Sequence, residues 1–280
     1  MSDGIRLCKV GMSSAAMMSD PAGDSGACAG LRAAFDQAMP WSGACRLSQD
    51  HALVGLFELD DWRRWLLQAA ALLDGAERAR VQRRRRPADR DALTLAYALH
   101  RLFLQAALDL DAAALPLGRD ALGCPRLEGL AVHTSLSHSQ AYVAIAVCRQ
   151  GPVGVDVEPR HRRQVMEEIA AQTCHPDEAA EMARLSGQAR AEALLGLWVR
   201  KEALLKAAGI GLARPMGSFR APVGQALPLE PKVGKTCLRM LQAMPGAMAA
   251  VAAPAEVPVL SAWLRPPVVA CPATARQLAG

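Results

Sequence analysis

The segment Gly154-Val155-Asp156-Val157-Glu158 constrains this chain more than any other. Valines alternating with acids read as a strand, and in a strand side chains at i and i+2 share a face. Val153, Val155 and Val157 are expected to face the core, which puts Asp156 and Glu158 together on the opposite face. The plain reading is a solvated strand face. Aligned carboxylates repel, however, and nothing basic alternates with them, so a bound cation is the simpler compensation.

A second segment, Trp198-Val199-Arg200-Lys201-Glu202-Ala203-Leu204-Leu205-Lys206, reads as a helix with Glu202 and Lys206 one turn apart. They fall along one border of a stripe made by Leu194, Leu197, Trp198, Leu204, Leu205 and Ala208. By itself the pair reads as an exposed i,i+4 salt bridge, which contributes only about 0.3 kcal/mol. Lys201 falls near the centre of the apolar stripe, where a lysine is unexpected. Taken together, three carboxylates and an ammonium at a strand–helix junction suit Mg²⁺-assisted chemistry on a diphosphate.

With Ser135-Leu136-Ser137-His138-Ser139 ahead of them, these segments resemble the surfactin-type 4′-phosphopantetheinyl transferases. The family pattern runs N/S-I/L-S-H-S, then G-[IV]-D-[IV]-E, then W-x-x-K-E-[AS]-x-x-K. The third motif continues here as Ala207-Ala208-Gly209-Ile210-Gly211-Leu212, and the resemblance covers roughly residues 50 to 265. It implies an α+β fold of two similar α/β halves packed as a pseudodimer, with the site between them. It also implies transfer of phosphopantetheine from coenzyme A to a serine of an acyl or peptidyl carrier protein, with release of 3′,5′-ADP.

On this resemblance Asp156, Glu158 and Glu202 hold Mg²⁺, and Glu202 or a metal-bound water takes the serine proton. Lys206 contacts the diphosphate and stabilises the leaving phosphate. Ser137 and His138 contact the coenzyme A phosphates, a role in which a phosphate neighbour would raise the histidine pKa. Basic residues of the run Arg78 to Arg90 hold the 3′-phosphate, with Arg80 and Arg90 the candidates. Two departures stand out. Position 92, basic in many relatives, is Ala92, and the frequent G-K-P is Gly123-Cys124-Pro125, which leaves Arg126 to take over the lysine's task.

Ser137-His138 also invites a hydrolase reading, but no G-x-S-x-G elbow accompanies it. The arginine run leaves open a nucleotide- or nucleic-acid-binding module, although it lacks interleaved aromatics. A Mg²⁺-dependent phosphohydrolase is a third reading.

The 280 residues suffice for two halves of about 100–150 residues. The expected divisions are a poorly ordered extension at 1–48, halves at 49–150 and 151–270, and a tail at 271–280. Of the residues, 51% are hydrophobic but only 4% aromatic, so the core must be mostly Leu, Ala, Val and Met. A net charge of +5 suits an anionic ligand or an acidic partner. Eight scattered cysteines without zinc spacing read as free thiols. With no signal-peptide core and no apolar run long enough to span a bilayer, the expected protein is cytoplasmic and monomeric, engaging neither membrane nor nucleic acid.

Strands are expected at 52–59, 142–147, 153–158 and in three stretches after residue 236, namely 237–241, 248–252 and 259–264. Helices are expected from Asp60 or Asp61, after Asp89, at 165–171 and 177–184, and at 194–208. Turns are expected at Leu115–Gly118 and Gly123–Pro125.

Overall fold

The computed structural model describes residues 29–40, 50–232, 234–242 and 244–267. In chain order its elements are α1 (Ala29–Ala38), β1 (Ala52–Glu58), α2 (Leu59–Trp62), α3 (Leu66–Leu72), α4 (Gly75–Gln82) and α5 (Pro87–Leu108). The hairpin β2 (Leu117–Arg119) and β3 (Pro125–Leu127) follows, then β4 (His133–Ser139), β5 (Tyr142–Cys148) and β6 (Gly154–Pro159). A 3₁₀ turn at Arg160–Val165 leads into α6 (Met166–Thr173), α7 (Pro176–Met182) and α8 (Gly187–Ala208). The described chain closes with β7 (Ala226–Pro228), β8 (Lys235–Met240), β9 (Ala247–Pro254) and β10 (Val259–Trp263).

This is an α+β fold built on two four-stranded sheets, ordered β10-β1-β5-β4 and β6-β9-β8-β7. In both, an early strand pairs antiparallel with the second strand of a later hairpin, β1 with β5 and β6 with β9. A 22-residue helix lies between strand and hairpin each time, α5 in one case and α8 in the other. The outer strands differ. β10, from the end of the described chain, pairs parallel with β1, whereas β7 pairs antiparallel with β8.

The sheets are buried on both faces. Ala52, Val54, Leu56, Ala144, Ala146, Val155, Val157, Ala249 and Val251 form one apolar cluster drawn from both sheets. The alternate residues Leu53, Phe57, Val143, Ile145 and Val147 pack instead with Leu95, Leu99 and Phe103 of α5. Strands covered on both sides need near-continuous apolar sequence, which is why β1 and β5 lack polar alternation.

The few aromatics are concentrated. Phe57 and Trp62 meet Phe35 of α1 at ring-centre distances of 6.2 and 6.0 Å. Leu31 and Phe35 are buried, so the poorly ordered extension expected at 1–48 is corrected for residues 29–38, which form a docked helix. The rest of that stretch lies outside the described residues, except positions 39 and 40, as does the expected tail at 271–280.

Two smaller expectations also change. The helix predicted from Asp60 or Asp61 begins at Leu59, with both acids in the first turn, where the helix dipole favours them, and it breaks into a 3₁₀ turn before α3. The turn at Leu115–Gly118 gives way to β2, and the hairpin reverses at Asp120–Cys124, where Gly123 supplies φ +84°. Ser137 and His138 lie within β4, a strand in its own right.

Candidate active site

The site forms where the edge strand of one sheet, β4, runs beside the edge strand of the other, β6. In place of a backbone ladder, alternate serines of β4 bridge the two. Ser135 Oγ accepts from the Val155 N–H at 3.1 Å, and Ser137 Oγ accepts from the Val157 N–H at 3.4 Å. Ser137 Oγ also donates to Asp156 Oδ1 at 2.8 Å, and Ser139 Oγ donates to Glu158 Oε2. The S-x-S-x-S alternation places all three hydroxyls on the side facing β6.

Helix α8 covers the acidic face of β6. A Cβ on Gly154 would lie 2.1 Å from the Ala203 carbonyl oxygen and 2.4 Å from the Ala207 nitrogen, so only glycine admits the helix so close. Asp156 and Glu158 are therefore buried, at 4% and 6% exposure. The solvated carboxylate face of the plain reading is not what forms. Lys206 donates to Asp156 Oδ1 at 2.7 Å and to Ser137 Oγ at 2.8 Å, while Asp156 Oδ2 is buried without a hydrogen-bond partner. Arg162, from the 3₁₀ turn after β6, donates to Glu158 Oε1.

Glu202 lines the same cavity. Burial, and then the charge of Asp156, raise its pKa above the ordinary carboxylate value, with Lys206 opposing. Glu158 is raised as well, first by burial and against the hydrogen bond from Ser139.

Lys201, the lysine in the middle of the apolar stripe, is wholly buried and serves a different purpose. Its ammonium pairs with Glu178 at 2.6 Å and donates to the carbonyls of Met216 at 2.8 Å and Phe219 at 2.6 Å. Glu178 in turn accepts from the backbone N–H groups of Ala221 and His175. All three ammonium protons thus have acceptors, and the pair ties α8 to α7 and to the loop after α8.

Asp156, Glu158, Glu202 and Lys206 line one wall of a cavity of about 480 Å³, together with Trp198, Ser137 and His138. Its basic lining comes from Arg80, Arg84 and Arg119, with Tyr97 and Gly123 beside them. Arg119 is stacked 4.7 Å over Tyr97 and donates Nη1 to the Gly123 carbonyl at 2.8 Å, while its Nη2 is buried without a partner.

Of the residues singled out by sequence, Ser137, His138, Asp156, Glu158, Glu202, Lys206 and Arg80 line this cavity. Arg90 does not; its guanidinium reaches the Arg84 carbonyl at 3.5 Å on the exposed side of α5. Arg126, the expected substitute for the missing lysine, is held by Asp120 at 2.8 and 3.1 Å and is not among the lining residues. Arg84, Arg119, Tyr97 and Trp198 were not chosen as site residues. A basic residue just ahead of Gly123-Cys124-Pro125 was the available signal for Arg119.

The protein's own groups act on His138 in the opposite direction to a phosphate neighbour. Although its surface is exposed, the surrounding protein desolvates the ring, and Arg84, Lys206 and Arg119 add to the effect, lowering its pKa to about 4. Ser137 has no capacity left for nucleophilic work, since its hydroxyl donates to Asp156 and accepts from Lys206 and Val157.

The carboxylates suit a hard cation by chemistry, and the unpartnered Asp156 Oδ2 is an open ligand position. Among the described residues, however, no three His, Cys, Asp or Glu side chains stand gathered closely enough to hold a metal ion. Here Lys206 and Arg162 neutralise the two strand carboxylates.

Residues 152–237 match the family model described as the 4′-phosphopantetheinyl transferase superfamily. That segment carries both the β6 motif and the α8 motif, and the chain is similar to this superfamily there, as the motifs indicated. Among curated relatives, a Synechocystis protein provisionally named a 4′-phosphopantetheinyl transferase is 32% identical over 51% of this chain and 59% of its own length. The 4′-phosphopantetheinyl transferase of Bacillus subtilis is 30% identical over 40% of this chain and 50% of its own length. One from Aneurinibacillus migulanus is 31% identical over 31% of this chain and 36% of its own length. The alignments thus span between about one third and three fifths of these relatives. Among the described residues, no helix is long and apolar enough to cross a membrane.

Proposed function

We propose that this protein transfers 4′-phosphopantetheine from coenzyme A to a serine of an acyl or peptidyl carrier protein, releasing 3′,5′-ADP. One observation carries the reading: a single cavity is lined by three carboxylates, Lys206 and three arginines. That charge pattern suits a polyanion with a reacting diphosphate and a further phosphate. The relatives' names support the same class of chemistry.

Asp156, Glu158 and Glu202 are the residues that would hold Mg²⁺. When bound, the ion would offset the charge of the diphosphate. In the transfer, the carrier serine Oγ forms a bond to the β-phosphorus as the bond to the bridging oxygen breaks, and the electron pair leaves with 3′,5′-ADP. Glu202 takes the serine proton. Lys206 stands where charge develops on the leaving phosphate. Arg80, Arg84 and Arg119 take the remote phosphate, with the unpartnered Nη2 of Arg119 as the donor already in place. His138 is neutral before the ligand binds, and an approaching phosphate would favour its protonation.

The test is incubation of the purified chain with coenzyme A, Mg²⁺ and an apo carrier protein. Transfer adds about 340 Da to the carrier, the mass of the cofactor arm that carries the acyl group. Release of phosphopantetheine without a carrier adduct would instead mark a phosphohydrolase. Binding of DNA or RNA with neither product would mark the arginines as a nucleic-acid surface.

A further inference from the structure

Glu158 is claimed twice. As a proposed cation ligand it would share its charge with groups already bound there, since Oε2 accepts from Ser139 and Oε1 accepts from Arg162. Arg162 differs from the protein's scaffold cations. Arg101 is 1% exposed and held by Asp74, Glu77 and the Ala112 carbonyl, and Lys201 is equally enclosed. Arg162 is 36% exposed, sits on the 3₁₀ turn after β6, and lies 5.3 Å over the ring of Trp198, itself a lining residue. An arginine released from Glu158 would keep both water and an aromatic face, so letting go costs it little.

Two buried carboxylates two residues apart on one strand need compensation whenever no external cation is bound. Lys206 supplies it at Asp156, and Arg162 supplies it at Glu158. A guanidinium and a divalent ion on the same carboxylate oxygen repel each other and compete for its charge, which favours release of the guanidinium when the ion binds. We propose that Arg162 is a built-in counter-cation that holds Glu158 in the cation-free protein and is displaced when a divalent ion binds, thereby setting the site's cation affinity. This rests on the reading of Asp156, Glu158 and Glu202 as cation ligands.

The test measures Mn²⁺ binding to the full chain by electron paramagnetic resonance, with no turnover involved. Arg162→Met keeps an unbranched stem against Trp198 but removes the charge. Arg163→Met makes the same charge change on the same 3₁₀ turn, away from Glu158; among the described residues, Arg163 Nη1 donates to the Arg160 carbonyl. Arg162→Met should bind Mn²⁺ about tenfold more tightly than wild type, the equivalent of one charge-assisted hydrogen bond no longer displaced. Arg163→Met should stay within about twofold, since exposed charges at that distance are screened. Arg162→Lys, which keeps the charge on a shorter reach, should fall between. In chelator, Arg162→Met should melt below wild type, and Mn²⁺ should restore more of its stability than it adds to wild type. Equal or weaker Mn²⁺ affinity in Arg162→Met than in Arg163→Met overturns the inference alone. No Mn²⁺ binding by any of the four proteins overturns it together with the cation part of the proposed function.

Discussion

Lys201 and Lys206 lie five positions apart on α8, and both meet a carboxylate, but they sit in opposite situations. Lys201 is fully enclosed, and every donor and acceptor around it is matched by Glu178 and two backbone carbonyls. Lys206 is 26% exposed in a cavity wall and shares Asp156 with Ser137, leaving Asp156 Oδ2 unpartnered. A closed polar network rigidifies, whereas an open one keeps the capacity to bind something else. The difference separates scaffold from site within one and a half turns of helix.

The comparison breaks most readily at Lys201. Lys201→Ala strands Glu178 without its counter-ion, and breaking a buried pair from one side costs roughly 3–5 kcal/mol. Denaturant unfolding should register that loss, and the fraction still folded should retain activity. Unchanged stability would mean that the enclosed lysine is not scaffold. At Lys206 the effect should move from stability to rate. Losing a preorganised charge of this kind costs about 3 kcal/mol in the transition state, a hundredfold or more in turnover, with coenzyme A affinity changing less. Lys206→Arg should recover only part of it, because a planar guanidinium keeps the charge but not the compact geometry of an ammonium. Full-speed transfer by Lys206→Ala would return the Glu202–Lys206 pair to a surface salt bridge.

Arg119, another residue lining the cavity, sharpens the comparison. Its unpartnered Nη2 predicts that Arg119→Gln raises the KM for coenzyme A about tenfold, the equivalent of one charge-assisted hydrogen bond, with turnover little altered. Steady-state kinetics distinguishes this from loss of turnover, which would place Arg119 near the reacting bond instead.

The last test falls on His100 of α5, a scaffold group within hydrogen-bond reach of Thr134 at 2.8 Å. Burial, with Arg119 and Arg101 adding to it, lowers its pKa from 6.5 to about 3. Between those values only the unfolded chain binds the proton, so stability is present above pH 6.5 and is lost as the pH falls. The slope is about 1.4 kcal/mol per pH unit. Melting temperatures from pH 7 to pH 4 should fall more steeply for wild type than for His100→Gln, and parallel curves would contradict the assignment.

Much of this was legible because the relevant periods are local. Alternation of two placed Asp156 and Glu158 on one face of β6, and a spacing of four aligned Glu202 with Lys206. Lys201 looked anomalous because its partners, Glu178, Met216 and Phe219, stand 15 to 23 positions away in sequence. The arginine run did not show which guanidiniums turn inward, because Pro87 starts a new helix inside it and sends Arg80 and Arg84 to the cavity but Arg90 outward. The helix at 29–38 stayed hidden because its apolar face is short and finds Phe57 and Trp62 only in the folded core.

The chain by itself thus determined which chemical groups share a face, since backbone geometry repeats every two or 3.6 residues whatever surrounds it. Only the tertiary structure decided what each face meets. The glycine-enabled contact of α8 on β6 buries the acids, the serine seam of β4 braces them, and Lys206 and Arg162 neutralise them. These partners come from separate elements, and no local period encodes a meeting between residues as far apart as Ser137, Asp156 and Lys206.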